Sequence, residues 1–198
     1  MDDETREPTG TTDGDAETFS PSSPEEYARL PEPARRIVAR LGMAKIPHEG
    51  PWFVETWRSP DRVEGALAAR YDGPRIAGTA ILALITDESF SALHRLATDE
   101  LWHFHAGAPL ELFTIGADGR DECVTLGADL LGGEHPQRRV PAGTWMAARP
   151  LGGQEAWTLI GNTLAPGFEF ADYEAGEREA LIRLCPAQAA RIRACTRD

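Results

Sequence analysis

The chain has 198 residues, enough for one domain with a buried core and tails. Its 32 acidic and 20 basic residues leave a net charge of −12, which speaks against nucleic acid and against an anionic membrane surface as partners. An apolar content of 41% with five Trp marks a folded protein, not a disordered one.

Residues 1–22 concentrate the acid. Asp2, Asp3, Glu4, Glu7, Asp13, Asp15 and Glu17 face only Arg6, among Thr, Ser, Gly and Pro. This composition reads as a disordered acidic tail, and residues 23–198 read as a single domain. No basic start is followed by an apolar run, and no apolar run approaches the roughly 18 residues of a membrane span. Cys123, Cys185 and Cys195 are odd in number and lack metal-ligand spacing, so the expected location is the cytoplasm, with reduced thiols.

Ser23-Pro24-Glu25-Glu26 reads as a helix start, with Ser as cap and Pro in the first turn. A second helix spans 34–41, with Ile37, Val38 and Leu41 on one face and Gly42 closing it. From Trp52 the pattern changes to strand period, first in WFVETW. Further strands are expected at 79–85, 91–96, 100–105, 110–115, 123–126, 144–148 and 156–162. Turns at Ala117-Asp118-Gly119, Leu131-Gly132-Gly133 and Gly152-Gly153 separate them. Residues 60–78 read as a long loop with a short helical piece at 64–70. Helix returns at 176–184, with another turn after Pro186. Many short, closely spaced strands between helical ends mean an all-β fold: an antiparallel barrel or jelly roll with flanking N- and C-terminal helices.

Five stretches carry a resemblance. They are IPHEGPWFVETWRS, FSALHRLATDELWHFHAG, LGADL with GEHPQ, VPAGTWMAA, and LAPGFEFADYE. Over roughly residues 35–186 the chain resembles a family of small cupins (Cupin_5 type), whose jelly roll is similar to that of nucleotide-sugar epimerases. The resemblance implies a homodimeric jelly-roll barrel enclosing a small-molecule pocket. The chain departs from the family pattern at Gly50-Pro51 for two glycines, Met146 for Gln, and Asn162 for Cys; the family's Tyr is Trp52 or Trp57 here.

His103-x-His105 looks like a cupin metal motif, but the register argues otherwise. Anchoring the aromatic strand on Gly107 puts the cupin Glu at Glu100 and the second His at His94. The first His then falls on Ala92 and the late His on Met146, so two of four ligand positions survive. No metal and no cofactor are expected. If Glu100 points into the barrel, Trp102 and Phe104 follow, while His103 and His105 point out.

His94 and Glu100 are the catalytic candidates. An interior imidazole and carboxylate orient one another and shift each other's proton affinity. They serve equally as a satisfied polar pair joining two strands. The substrate-binding candidates are Trp57, Arg58, Trp102, Phe104, Trp145 and Met146, an aromatic wall with an Arg that suits a carboxylate or phosphate. Glu55 and Arg58 fall on opposite strand faces unless a bulge intervenes. His48-Glu49-Gly50 could lid the pocket, and Glu169 and Asp172 anchor the C-terminal segment. Two functions stay open. One is a metal-independent acid/base enzyme, epimerase- or isomerase-like or a tailoring step in a specialised-metabolite pathway. The other is a non-catalytic cupin that holds a small molecule.

Overall fold

The computed structural model describes residues 24–46, 48–66, 68–71 and 73–197. The acidic tail and the Ser23 cap lie outside the described residues. Two short helices come first, α1 (Pro24–Arg29) and α2 (Glu32–Leu41). Strands follow: β1 (Ala44–Lys45), β2 (Trp52–Arg58), β3 (Arg62–Val63), β4 (Arg75–Ile76), β5 (Thr79–Thr86), β6 (Ser91–Leu96) and β7 (Glu100–Gly107). Then come β8 (Leu110–Ile115), β9 (Asp121–Leu126), β10 (Gln137–Val140), β11 (Trp145–Pro150), β12 (Trp157–Leu164) and β13 (Tyr173–Ala175). The chain closes with α3 (Arg178–Leu184) and α4 (Ala189–Ala194).

Two antiparallel sheets face each other, in the orders β1-β2-β5-β12-β7-β10 and β13-β6-β11-β8-β9. The jelly-roll reading holds. Alternation along each strand sorts side chains into an inner and an outer set. The inner set is one cluster, including Ala83, Ile85, Trp102, Leu112, Val140, Met146 and Ile160, with Phe53, Phe104 and Tyr173 packed against it. The outer face of the first sheet is covered by α2, whose Ala34 and Val38 pack with Trp52 and Leu84. The outer face of the second sheet is covered by α3 and α4, through Leu181, Cys185 and Ile192 on Leu93, Phe113 and Ala147.

Several elements differ from the sequence reading. The 60–78 stretch holds the β3–β4 hairpin and a single 3-10 turn at Ala68–Arg70, not a helix. Its order comes from a distant contact. Arg75 makes a buried two-pronged ion pair with Asp172, 2.8 Å on each arm, while Tyr71 accepts from Thr98. Strands β10 and β13 were not anticipated; both are short edge strands defined by their partners β7 and β6. Helix α3 starts at Arg178 because the Glu177 side chain caps it, accepting from the Glu179 and Ala180 amides.

Strand β7 ends at Gly107 for a steric reason. Its φ is +97°, and a Cβ there would lie 2.2 Å from the Trp157 carbonyl oxygen. Only glycine fits that approach. Between Phe104 and Ala106 the register with β12 shifts, which leaves His105 unpaired. The shift falls beyond Phe104, so the alternation from Glu100 to Phe104 survives.

Candidate functional site

The interior holds a small set of polar groups among apolar walls. His94 and Met146 are ladder partners on β6 and β11, so their side chains stand together on the inner face. His94 is buried and stacks on Tyr173, with ring centroids 5.4 Å apart. Its Nδ1 lies 2.8 Å from the Ala92 carbonyl oxygen. A carbonyl only accepts, so Nδ1 carries a proton and Nε2 is the ring nitrogen left for a ligand.

Glu100 opens β7 on the facing sheet and is 6% exposed. Trp102 Nε1 donates to its Oε2 at 2.7 Å. Burial pushes the Glu100 carboxyl up to about 8, the nearby charge of Glu49 adds to this, and the Trp102 bond opposes it. Near neutral pH Glu100 is therefore an acid. Its proton falls on Oε1, since Oε2 is accepting. Among the described residues no hydrogen bond joins His94 to Glu100. The expected mutual pair is instead two groups, each oriented by its own neighbour.

Glu49 is the member that the sequence reading left in a lid. The 48–50 turn crosses one end of the barrel between β1 and β2. Lys45 Nζ donates to the Gly50 carbonyl at 2.8 Å, and Arg197 Nε and the Ala92 amide both donate to the Glu49 carbonyl. The Glu49 side chain turns inward and accepts from Ser91 Oγ at 2.6 Å. Its charge also reaches Tyr173, whose hydroxyl is raised well above the ordinary range, chiefly by burial. Gly50, at φ +121°, is required here: a Cβ would strike the Arg197 guanidinium at 2.0 Å. Tyr173 was missed because β13 has no strand signature of its own.

The remaining candidates divide. Trp102 and Phe104 belong to the inner face, as the alternation requires. Trp145 does not. It is next to Met146 on β11, so it points the opposite way, beneath α3 and α4, with the Arg95 guanidinium 4.5 Å from its ring. Two adjacent strand residues cannot both line the pocket. Replacing Trp145 with Ala should cost about 3–5 kcal/mol of stability without touching ligand binding. Urea unfolding beside a binding titration checks this; a binding loss at unchanged stability would put Trp145 back in the site.

Trp57 is also corrected. It pairs with Ala80 on the outer row of β5, is 50% exposed, and lies against Gly78. The register shift between Glu55 and Trp57 supplies the bulge, and it brings Glu55 and Arg58 to one face. Arg58 then makes a two-pronged bond to Glu55, at 2.9 and 2.7 Å. Its fork is occupied by the chain's own carboxylate rather than held ready for a ligand. On the outer face, Gln137 donates to His103 Nδ1 and His103 Nε2 donates to Thr163 Oγ1, so both ring nitrogens are satisfied.

A cavity of about 300 Å³ lies between the sheets at the β9–β10 seam, lined by Leu112, Thr114, Val124, Arg138, Val140 and neighbours. The five named are inner-face positions. Val140 and Arg138 are the ladder partners of Glu100 and Trp102, so the cavity ends one strand short of the buried acid. Met146, Trp102 and Leu112 belong to the core cluster of the same inner face.

The four positions of a cupin metal site are Ala92, His94, Glu100 and Met146. A methyl, an imidazole, a carboxyl held as an acid and a thioether do not fit a hard or borderline cation. Among the described residues no three His, Cys, Asp or Glu side chains converge on one point.

Two facing antiparallel sheets around an apolar interior with a few buried polar groups, and helices on the outer faces, have the architecture of a cupin. The match to the family model of the Cupin superfamily (DUF985) covers residues 35–176, and the chain belongs to that family. A hypothetical protein from Leishmania major is 31% identical, with a TM-score of 0.74, over 83% of this chain and 99% of its own. A protein from Shewanella oneidensis is 30% identical, with a TM-score of 0.72, over 82% of this chain and 96% of its own. No curated protein matches the sequence. Among the described residues, no helix is long and apolar enough to cross a membrane.

Proposed function

We propose that the barrel binds a small polar molecule with an apolar portion and moves a proton on it without a metal, as an isomerase- or epimerase-like enzyme. A tailoring step on a specialised metabolite uses the same chemistry. The observation that carries the reading is a buried His94 and a buried Glu100 on facing sheets, each oriented by its own neighbour so that His94 Nε2 and Glu100 Oε1 are the atoms left for a ligand. Such pairs divide into base and acid. His94 is the base and Glu100 the acid, kept protonated by burial and, after it, by the charge of Glu49. Trp102, Phe104 and Met146 supply the apolar wall.

A second reading has one observation behind it. Met146, 1% exposed, fills the place beside His94 with a group that neither gives nor takes protons. A cupin that holds its ligand without converting it would tolerate that. The test is to extract the small molecule that co-purifies, identify it by mass, and return it to the protein in D2O. Deuterium incorporated at carbon supports the enzyme; binding without incorporation supports the holder.

The protein is also proposed to be a homodimer, with the N-terminal region packed across the barrels. Edge strands β10, β9 and β13 leave unpaired backbone that a second copy can cover. Light scattering should give about twice the 21.6 kDa chain mass. A monomer at micromolar concentration would rule this out.

A further inference from the structure

Two buried side-chain donors in the described residues have no hydrogen-bond partner, Trp52 Nε1 and Asn162 Nδ2. Trp52 lies on the outer face under α1 and α2 with Lys45 over its ring, and that group packs the helices. Asn162 is different. It is 4% exposed and sits on β12, directly across the ladder from Trp102 and, on its other side, from Ile81. Both neighbours pack in the inner cluster, so the amide faces the barrel interior. Leaving such a donor unpaired costs about 1–3 kcal/mol. A sequence selected only for packing would not keep an amide there.

Glu100 is the diagonal neighbour of Asn162, two residues from Trp102 on the same face of β7. Diagonal positions on adjacent strands lie about 7–8 Å apart, close enough for an Asn and a Glu side chain to reach toward one ligand oxygen between them. Glu100 Oε2 is taken by Trp102, which leaves Oε1 for that oxygen. The surrounding charges point one way. Glu49 is the neighbouring carboxyl, Arg58 is bound by Glu55, and Arg197 is bound to the backbone carbonyls of Glu49 and Phe90. An anion placed here meets negative charge and, among the described residues named above, no open guanidinium.

We infer that Asn162 Nδ2 and Glu100 Oε1 form a two-donor site for one acceptor oxygen of an uncharged ligand, a carbonyl compound bearing hydroxyl groups. The inference rests on the proposed acid/base reading and names its substrate class. The proton step balances. A proton on the carbon beside the carbonyl goes to His94 Nε2, and its electron pair moves into the C–C bond. The carbonyl π pair moves to oxygen, which takes the Glu100 proton and keeps the Asn162 bond, giving an enol. Return of the two protons restores both side chains.

The test uses dihydroxyacetone and hydroxypyruvate, which differ by one CH2OH in place of a carboxylate. Each is titrated by NMR into the full chain, wild type, Asn162→Leu and Asn162→Asp. Dihydroxyacetone is expected to bind and hydroxypyruvate to bind at least about tenfold more weakly. Asn162→Leu should weaken dihydroxyacetone by about five- to tenfold, the scale of one hydrogen bond. It should leave the melting temperature unchanged or higher, since the orphan donor is gone. Asn162→Asp keeps the shape and covers a folding failure of the Leu variant; it should weaken binding as much. Equal or tighter hydroxypyruvate binding, no binding of dihydroxyacetone, undiminished binding in both variants, or a crystal soak showing only water on Nδ2 would each overturn the inference. Deuterium exchange at the dihydroxyacetone carbons separates the two claims. Binding that depends on Asn162 without exchange removes the enzyme and keeps this site. Exchange indifferent to Asn162 keeps the enzyme and removes this site.

Discussion

His94→Ala is expected to slow deuterium incorporation into the extracted ligand by about 10²–10⁴-fold, the contribution of a positioned general base. The fold should survive, because among the described residues the ring's one protein hydrogen bond is to the Ala92 carbonyl two residues away on its own strand. His103→Ala and His105→Ala should stay within a few-fold of wild type. His103 is spent on Gln137 and Thr163, and His105 sits in the register shift with Nε2 placed 2.6 Å from where a Gly161 Cβ would be, on the outer face. The three variants compared by rate decide the register. A damaging His103→Ala beside a silent His94→Ala would reverse the faces of β7 and move the whole site.

Glu100→Gln should flatten the pH dependence of stability. An unfolded Glu loses its proton near 4.5, whereas Glu100 in the fold keeps it to about 8. Between those values the folded state binds one proton more than the unfolded state. Stability therefore falls as pH rises through this window, by up to about 1.4 kcal/mol per pH unit, and levels off above it. Gln keeps an acceptor for Trp102 Nε1 and has no proton to lose. The variant should match wild type near pH 4.5 and exceed it at pH 8. Urea midpoints from pH 4.5 to 9 check this, and parallel curves for the two proteins would show that Glu100 is charged in the fold. The same proton serves the chemistry, so wild-type turnover should fall above about pH 8 while ligand affinity at lower pH stays level.

Local pattern carried much of this protein. The strand period in WFVETW, in 79–85 and in 110–115 marks sheets packed on one face, and the structure has them at β2, β5 and β8. Motif spacing from Gly107 placed Glu100, and alternation counted forward from Glu100 was enough to send Trp102 and Phe104 inward and His103 and His105 outward. Steric crowding against Trp157 is what makes Gly107 a dependable anchor. The same rule, applied to β11, would have separated Trp145 from Met146 without a structure.

Other features were settled only by distant partners. Strands β10 and β13 are too short to show a period and exist because β7 and β6 offer a ladder. Arg75 looks like a loop residue until Asp172, 97 positions on, makes it a buried anchor. Glu49, Tyr173 and Asn162 come from a turn, an edge strand and a central strand, far apart in sequence. The raised proton affinity of Glu100 and of Tyr173 follows from burial and then from the charge of Glu49, which depend on distance in space. The local pattern determined which faces are apolar; the folded barrel decided which polar groups share the interior, and so what chemistry it can support.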